Sequence, residues 1–123
     1  MILAATTSPL GMACVVLLLL AAGILLNGLI EFDRLVRVEH QLHRAAWESD
    51  GSPCGFFWWA PGSLPFAGYF ARTRAAFMWL FSTPSWVVPS PEHLRSLRRF
   101  RICVITWSIV SLPLMLGIIL SFK

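Results

Sequence analysis

Two uninterrupted apolar stretches decide the fold of this chain. The first, residues 11–30, reads GMACVVLLLLAAGILLNGLI, and the second, residues 102–122, reads ICVITWSIVSLPLMLGIILSF. Neither stretch contains a charged residue. A helix rises about 1.5 Å per residue, so about 20 residues cross the hydrocarbon core of a bilayer, which is roughly 30 Å thick. The sequence therefore predicts an all-α membrane protein in which two transmembrane helices form an antiparallel hairpin.

A cleaved signal peptide is the alternative for the first stretch. No Lys or Arg precedes it, and the residues that follow its most apolar part, NGLIE at 27–31, do not resemble a small-residue cleavage site. The stretch is also longer than the apolar region of a typical signal peptide. We therefore expect the first helix to be retained.

The 123 residues are expected to form a single membrane domain. The first span covers about residues 10–30, and the next helix breaker is DGSP at 50–53, so we predict that the helix continues to about residue 48 as a cytoplasmic extension. In that extension Asp33 and Arg37 are spaced to pair on the polar side.

The loop between the spans is predicted to fold as a helical and aromatic cap on the hairpin. A helix-compatible segment at about residues 67–81 is too short to span, so it is expected to lie in the membrane interface. The second span follows at about residues 102–121. No linker is long enough to separate two domains.

The distribution of charge predicts the orientation. All nine arginines lie between the two spans, and they account for most of the ten basic residues in a chain of net charge +4. Loops rich in Lys and Arg near span ends stay in the cytoplasm. The loop should therefore be cytoplasmic, and both termini should be periplasmic, in the bacterial cytoplasmic (inner) membrane.

A basic cluster directly precedes the second span, formed by Arg95, Arg98, Arg99 and Arg101. Such residues gain about 1 kcal/mol each against an anionic leaflet. We predict that they bind anionic lipid headgroups, with the acidic surface of a partner as the alternative. A cluster fixed at the bilayer surface is poorly placed for nucleic acid, which is not expected as a partner.

Four consecutive aromatic residues, Phe56, Phe57, Trp58 and Trp59, lie between Gly and Pro breakers in the loop. Exposed to water, they would form a large apolar patch. The membrane interface suits Trp, whose ring is apolar and whose N–H stays wet. We predict a partner or lipid interface here, and packing against the chain itself is the alternative.

A helix–helix contact is predicted between Asn27 and Thr106. Each lies about one turn inside the cytoplasmic end of its span, so an antiparallel hairpin sets them at similar depth. A hydrogen bond between them would contribute about 0.6 kcal/mol. Alternatively, Asn27 reaches the water of the headgroup layer.

No pattern in the sequence indicates catalysis, a cofactor, a metal or a small-molecule substrate. The histidines lie outside the spans, where they could not ligate a tetrapyrrole in the bilayer core, and the spacing of His40 and His43 alone is weak evidence for a metal site. No nucleophile or nucleotide-binding motif is present. The cysteines are too scattered for a disulfide framework and are predicted to be unpaired thiols: Cys14, Cys54 and Cys103.

Several short motifs resemble those of the bacterial universal stress protein B family. They are DG at 50–51, GFF at 55–57, MWLF at 78–81, EHLR at 92–95 and RRFRI at 98–102. The matches are spread, with gaps, over residues 47–121, and the chain departs from the pattern at WW 58–59 and in the proline-rich stretch 84–91. The resemblance implies a two-span inner-membrane protein associated with stress or stationary phase, with no catalytic residues.

These observations favour a non-catalytic accessory or structural subunit of a larger bacterial membrane complex, of the respiratory or photosynthetic type. Its expected partners are membrane lipids and other integral membrane subunits. The alternative is a free-standing, stress-associated inner-membrane protein. An enzyme is not expected.

Overall fold

The structure is a computed structural model that describes residues 8–64 and 67–121. Over those residues the regular structure is entirely helical, which confirms the predicted all-α class. The four helices are α1 (Pro9–Leu42), α2 (Arg44–Ser49), α3 (Tyr69–Phe81) and α4 (Pro91–Ser121). Lys123, at the C-terminal end of the predicted topology, lies outside the described residues.

Each long helix begins directly after a serine and has a proline at its first position. The Ser8 hydroxyl accepts a hydrogen bond from the Gly11 N–H at 2.9 Å, and the Ser90 hydroxyl accepts a longer one from the His93 N–H at 3.4 Å. A serine cap satisfies an N–H that has no partner within the helix, and proline lacks the N–H that would otherwise need one. These local signals determine where α1 and α4 start.

The first helix does not continue to residue 48 as predicted. It ends at Leu42, because His43 leaves the helical conformation with φ −132° and ψ 55° before α2 begins. The side chain of Arg44 donates from Nε to the carbonyl of His40 at 2.8 Å. This bond compensates the carbonyl at the break, and α2 brings the ring of Trp47 within 4.6 Å of the His40 ring.

Helices α1 and α4 are both long and apolar enough to cross a membrane, judged by length and composition. Their most apolar windows have mean hydropathies of 2.6 and 2.3, and only 11% and 6% of those windows is buried within the chain. The core helix of a soluble protein would be mostly buried. The two helices are therefore compatible with a two-span membrane protein.

The two long helices pack directly against each other. Gly28 lies so close to α4 that an added Cβ would be 2.8 Å from the Cβ of Cys103. One turn further along α1, the ring of Phe32 lies 5.4 Å from that of Phe100. A step towards the C-terminal end of α1 therefore corresponds to a step towards the N-terminal end of α4, so the two helices are antiparallel at this contact.

The hydrophobic core lies beyond the apolar stretches, where the second half of α1 meets α3 and the first turns of α4. Its members are all buried, and they come from three helices and the segment before α4: Phe32, Leu35, Val36, Ala75, Trp79, Val87, Leu97 and Phe100. We call this part of the molecule the cap. It holds the aromatic loop and most of the charged residues.

Candidate interaction surface

The aromatic loop is anchored to α1 by one carboxylate. The N–H of Phe56 donates to Oδ1 of Asp33 at 2.6 Å, and the N–H of Phe57 donates to Oδ2 at 2.7 Å. The turn is closed by a 2.6 Å bond from the Gly55 N–H to the carbonyl of Trp58. At Gly55 an added Cβ would be only 2.6 Å from the carboxyl carbon of Asp33, so only glycine allows this approach.

The placement of Asp33 differs from the prediction of a polar-side pair with Arg37. Asp33 is buried and faces the loop. Burial raises the pKa of this carboxyl, whereas the two backbone hydrogen bonds and the charges of Arg37 and Arg72 act in the opposite direction. Asp33 therefore bonds to the loop N–H groups instead of the expected local partner, Arg37. These N–H groups lie more than twenty residues away along the chain.

The four aromatic residues of the loop are alternately half-buried and exposed. Phe56 and Trp58 are half-buried and pack against the core, with the Phe56 ring 5.3 Å from that of Phe32 in an edge-on arrangement. Phe57 and Trp59 are 58% and 49% exposed. Packing against the chain therefore accounts for two of the predicted interface residues and leaves two available to a neighbour.

Helix α3 has one side buried in the cap and one exposed side. Ala75 and Trp79 are buried in the cap. Phe70, Phe77 and Phe81 are among its most exposed residues. We use the name aromatic surface collectively for these three rings and the two exposed rings of the loop, Phe57 and Trp59.

Arg101 belongs to the internal structure of the cap. Its Nε donates to the carbonyl of Trp79 at 2.8 Å, and its Nη2 donates to the hydroxyl of Thr83 at 3.1 Å. It thereby holds the end of α3 against α4. Of the four predicted lipid-contacting arginines, this one is half-buried.

The other three arginines of the basic cluster are exposed. Arg99 lies 3.7 Å from the carboxylate of Glu31, which also pairs with Arg34 at 3.0 Å. Arg95 and Arg98 are exposed on the first turns of α4. Their guanidinium groups are accessible to an anionic surface.

The predicted burial of Asn27 at a helix contact is not observed. Asn27 is exposed, and the adjacent Gly28 is the residue that is buried against Cys103 of α4. Adjacent residues differ by about 100° around a helix, so a prediction based on depth alone can miss the contacting face. Thr106, the predicted partner, is half-buried.

The carboxyl group of Glu39 is fully buried in the cap. Its Oε2 accepts a 2.8 Å hydrogen bond from the indole N–H of Trp86, while Oε1 has no hydrogen-bond partner among the described residues. Burial, reinforced by the nearby carboxyl group of Asp50, raises the pKa of Glu39 to about 9; the hydrogen bond from Trp86 acts in the opposite direction. Burial therefore favours the protonated form of Glu39.

A cleft of about 300 Å³ opens beside this group, and its walls include Asp50 and Trp86. The indole ring of Trp86 also lies 5.1 Å from the ring of His43 and 5.8 Å from that of His93. Arg74 contributes the positive charge of the cleft wall. The buried acid thus lies close to solvent through Asp50.

The histidines of the cap point to different neighbours. His40 packs against Trp47 and Trp58, and burial followed by the charge of Arg44 lowers its pKa. His43 instead contacts the ring of Trp86. Within residues 8–64 and 67–121 no three His, Cys, Asp or Glu side chains form a group that could hold a metal. The cysteines are free thiols: Cys14, Cys54 and Cys103.

Sequence reasoning missed the buried acids of α1, although a signal was present. Phe32, Val36 and Glu39 follow the spacing of one helical face, so Glu39 occupies a position where the apolar stripe continues. An acid in such a position must be neutral or paired. The spacing alone did not identify Asp50 or Trp86 as its neighbours.

Comparisons with known proteins return no match. No protein-family model matches the chain, and neither a curated protein nor a solved structure is detectably similar to it.

Proposed function

We propose that this chain is a non-catalytic accessory or structural subunit of a larger bacterial membrane complex, of the respiratory or photosynthetic type. The observation that carries the proposal is the apolar surface that the chain leaves uncovered. Both long helices expose most of their apolar length. In the cap, the aromatic surface adds large exposed rings, which we propose are covered by the membrane on α3 and by a neighbouring subunit at the loop.

The proposed arrangement is an antiparallel two-span hairpin in the inner membrane. The cap faces the cytoplasm and both termini face the periplasm, because all nine arginines lie between the apolar stretches. Helix α3 lies along the membrane surface. The exposed arginines Arg95, Arg98 and Arg99 contact anionic headgroups.

Other integral membrane subunits are proposed to pack against Phe57 and Trp59. The loop that carries these rings is held by two hydrogen bonds to Asp33, so the rings are presented in a fixed arrangement before a partner arrives. A pre-ordered surface loses less entropy on binding. Aromatic side chains are also enriched at the centres of protein interfaces.

Co-purification tests this proposal. The tagged chain, extracted from native membranes in a mild detergent, should migrate with a large complex. The double substitution Phe57→Ser/Trp59→Ser should release it from that complex. Leu42→Ser/Val88→Ser, which changes two other exposed apolar residues of the cap, should not. A wild-type chain that migrates alone as a small oligomer would refute the subunit proposal.

The second candidate is a free-standing inner-membrane protein associated with stress, and the motif resemblance to the universal stress protein B family favours it. In that case the chain migrates as a small oligomer, and its abundance rises on entry into stationary phase. The same extraction, repeated on growing and stationary cells, separates the two candidates.

A further inference from the structure

We propose that a groove between α1 and the aromatic loop binds the phosphate of one anionic phospholipid. The groove has a volume of about 240 Å³ and is lined by Ile30, Asp33, Arg34, Arg37 and Phe57. The inference rests on the membrane placement given above under the proposed function. It adds a discrete lipid site on α1, separate from the basic cluster on α4.

The position of the groove along α1 matches the depth of a headgroup. Ile30 is the last residue of the first apolar stretch. Helical rise places Arg34 about 6 Å and Arg37 about 10 Å beyond it. Residues three apart project from the same side of a helix, and both arginines line the groove near the layer where lipid phosphates lie.

The side chains that line the groove are already held in place. Both carboxylate oxygens of Glu31 accept from Nη1 of Arg34, at 3.0 and 3.2 Å. The guanidinium of Arg37 stands 6.0 Å from the centre of the Trp58 ring. The wall at Phe57 is fixed through its backbone bond to Asp33. Binding therefore requires little further ordering of long side chains.

The local charge favours an anion. The two acids at the groove are already occupied, Glu31 by arginines and Asp33 by two backbone N–H groups. The basic groups around these acids outnumber them: Arg34, Arg37, Arg72 and Arg99. Guanidinium groups bind phosphate oxygens through paired hydrogen bonds.

The apolar walls indicate a lipid and not a free phosphate. Ile30 and Phe57 are both exposed at the groove. Beside the phosphate, they offer contact to the glycerol backbone and to the first methylenes of an acyl chain. A soluble phosphate ester would leave this surface wet.

The test is native mass spectrometry of the full chain, purified alone in detergent, with phosphatidylglycerol, diacylglycerol and glycerol 3-phosphate as probes. The wild type should retain one phosphatidylglycerol and should not retain either of the other two. Arg34→Gln/Arg37→Gln should weaken this binding about tenfold or more. Arg44→Gln/Arg74→Gln removes the same charge at two exposed arginines that do not line the groove, and it should leave the bound lipid in place.

Single substitution of Arg37 by Gln keeps the Arg34–Glu31 pair intact and should still weaken binding, which guards against a folding defect in the double variant. Equal losses from both double variants would overturn the proposal, because binding would then be diffuse attraction to charge. Retention of glycerol 3-phosphate would also overturn it. Since the chain is tested alone, the result does not depend on whether it is a subunit of a complex.

Discussion

At the scale of single residues, the acids on the inner side of α1 hold the cap together in two ways. Asp33 is bonded to two backbone N–H groups, so it fixes the loop. Glu39 is bonded to one indole and lies beside Asp50, so it must keep its proton. A buried charge without a partner costs several kcal/mol, and protonation avoids that cost.

Replacing Glu39 by Gln should change how stability depends on pH. The folded chain holds this proton up to a pKa of about 9, whereas the unfolded chain releases it near 4.5. The stabilisation is complete below about pH 4.5, and the free energy of unfolding then falls by at most about 1.4 kcal/mol per pH unit until about pH 9. Glu39→Gln still accepts from Trp86 but does not titrate.

The measurement is unfolding in detergent, followed by tryptophan fluorescence at about pH 6 and about pH 9. The wild type should lose more stability between these values than Glu39→Gln does. Glu48→Gln, at an exposed acid of α2, serves as the control and should behave like the wild type. Identical losses in wild type and Glu39→Gln would show that Glu39 does not hold its proton in the folded chain.

Replacing Asp33 by Ala should free the aromatic loop. The N–H groups of Phe56 and Phe57 would lose their acceptors, at a cost of about 1–3 kcal/mol for each that stays buried. Amide hydrogen exchange at these two positions should become faster, while exchange within α4 stays slow. Unchanged protection of both amides in Asp33→Ala would mean that other contacts hold the loop.

At the scale of helices, α1 and α4 approach each other closely because Gly28, which has no side chain, lies at their contact. Gly28→Ala would bring a methyl group within 2.8 Å of the Cβ of Cys103, whereas at Gly23 nothing lies within 4 Å of an added Cβ. Overpacking costs about 1–3 kcal/mol, which exceeds the roughly 1 kcal/mol that alanine gains over glycine in a helix.

Gly28→Ala should therefore lower the free energy of unfolding in detergent, and Gly23→Ala should leave it unchanged or raise it. Both substitutions lie in the same helix and bring the same gain in helix propensity, so their difference reports the contact alone. Equal stabilities of the two variants would contradict a close packing of α1 and α4 at Gly28.

The sequence predicts those features of the helices that depend on residues close together in the chain. The extent of α3, predicted at about 67–81 and found at Tyr69–Phe81, depends on neighbouring residues. The break at His43 contains no Gly or Pro; it accompanies the packing of Trp47 on His40. A packing contact of this kind is not marked by any helix-breaking residue in the sequence.

Only part of the candidate surface could be predicted, because the exposure of its side chains depends on contacts between residues far apart in the sequence. The aromatic residues and the arginines stand out by composition, but which of them face outward depends on the cap. The Phe56 ring packs against Phe32 while Phe57 is exposed, and Arg101 bonds to Trp79 while Arg98 is exposed. Contacts between residues more than twenty apart decided each of these outcomes.

At the scale of the whole molecule, the chain divides into an apolar pair of helices and a charged, aromatic cap with its own core. Nearly all the charge lies in the cap, and the apolar stretches carry none. Moving the cap across a bilayer would require nine arginines to cross an apolar layer, at about 2.5–3.5 kcal/mol for each one placed at the centre. This asymmetry is the physical basis of the proposed orientation.

The orientation predicts the activity of reporters fused to the chain. Alkaline phosphatase fused after Lys123 should be active, because that enzyme folds only in the periplasm, and green fluorescent protein at the same point should be dark. Inserted after Ser63, in the loop between α2 and α3, the two reporters should show the opposite pattern. Replacing Arg95, Arg98 and Arg99 together by Gln should shift part of the population to the reverse orientation, since these residues flank the second span. Phosphatase activity in the loop together with fluorescence at Lys123 would reverse the topology, and the headgroup contacts proposed for the cap would then belong to the periplasmic leaflet.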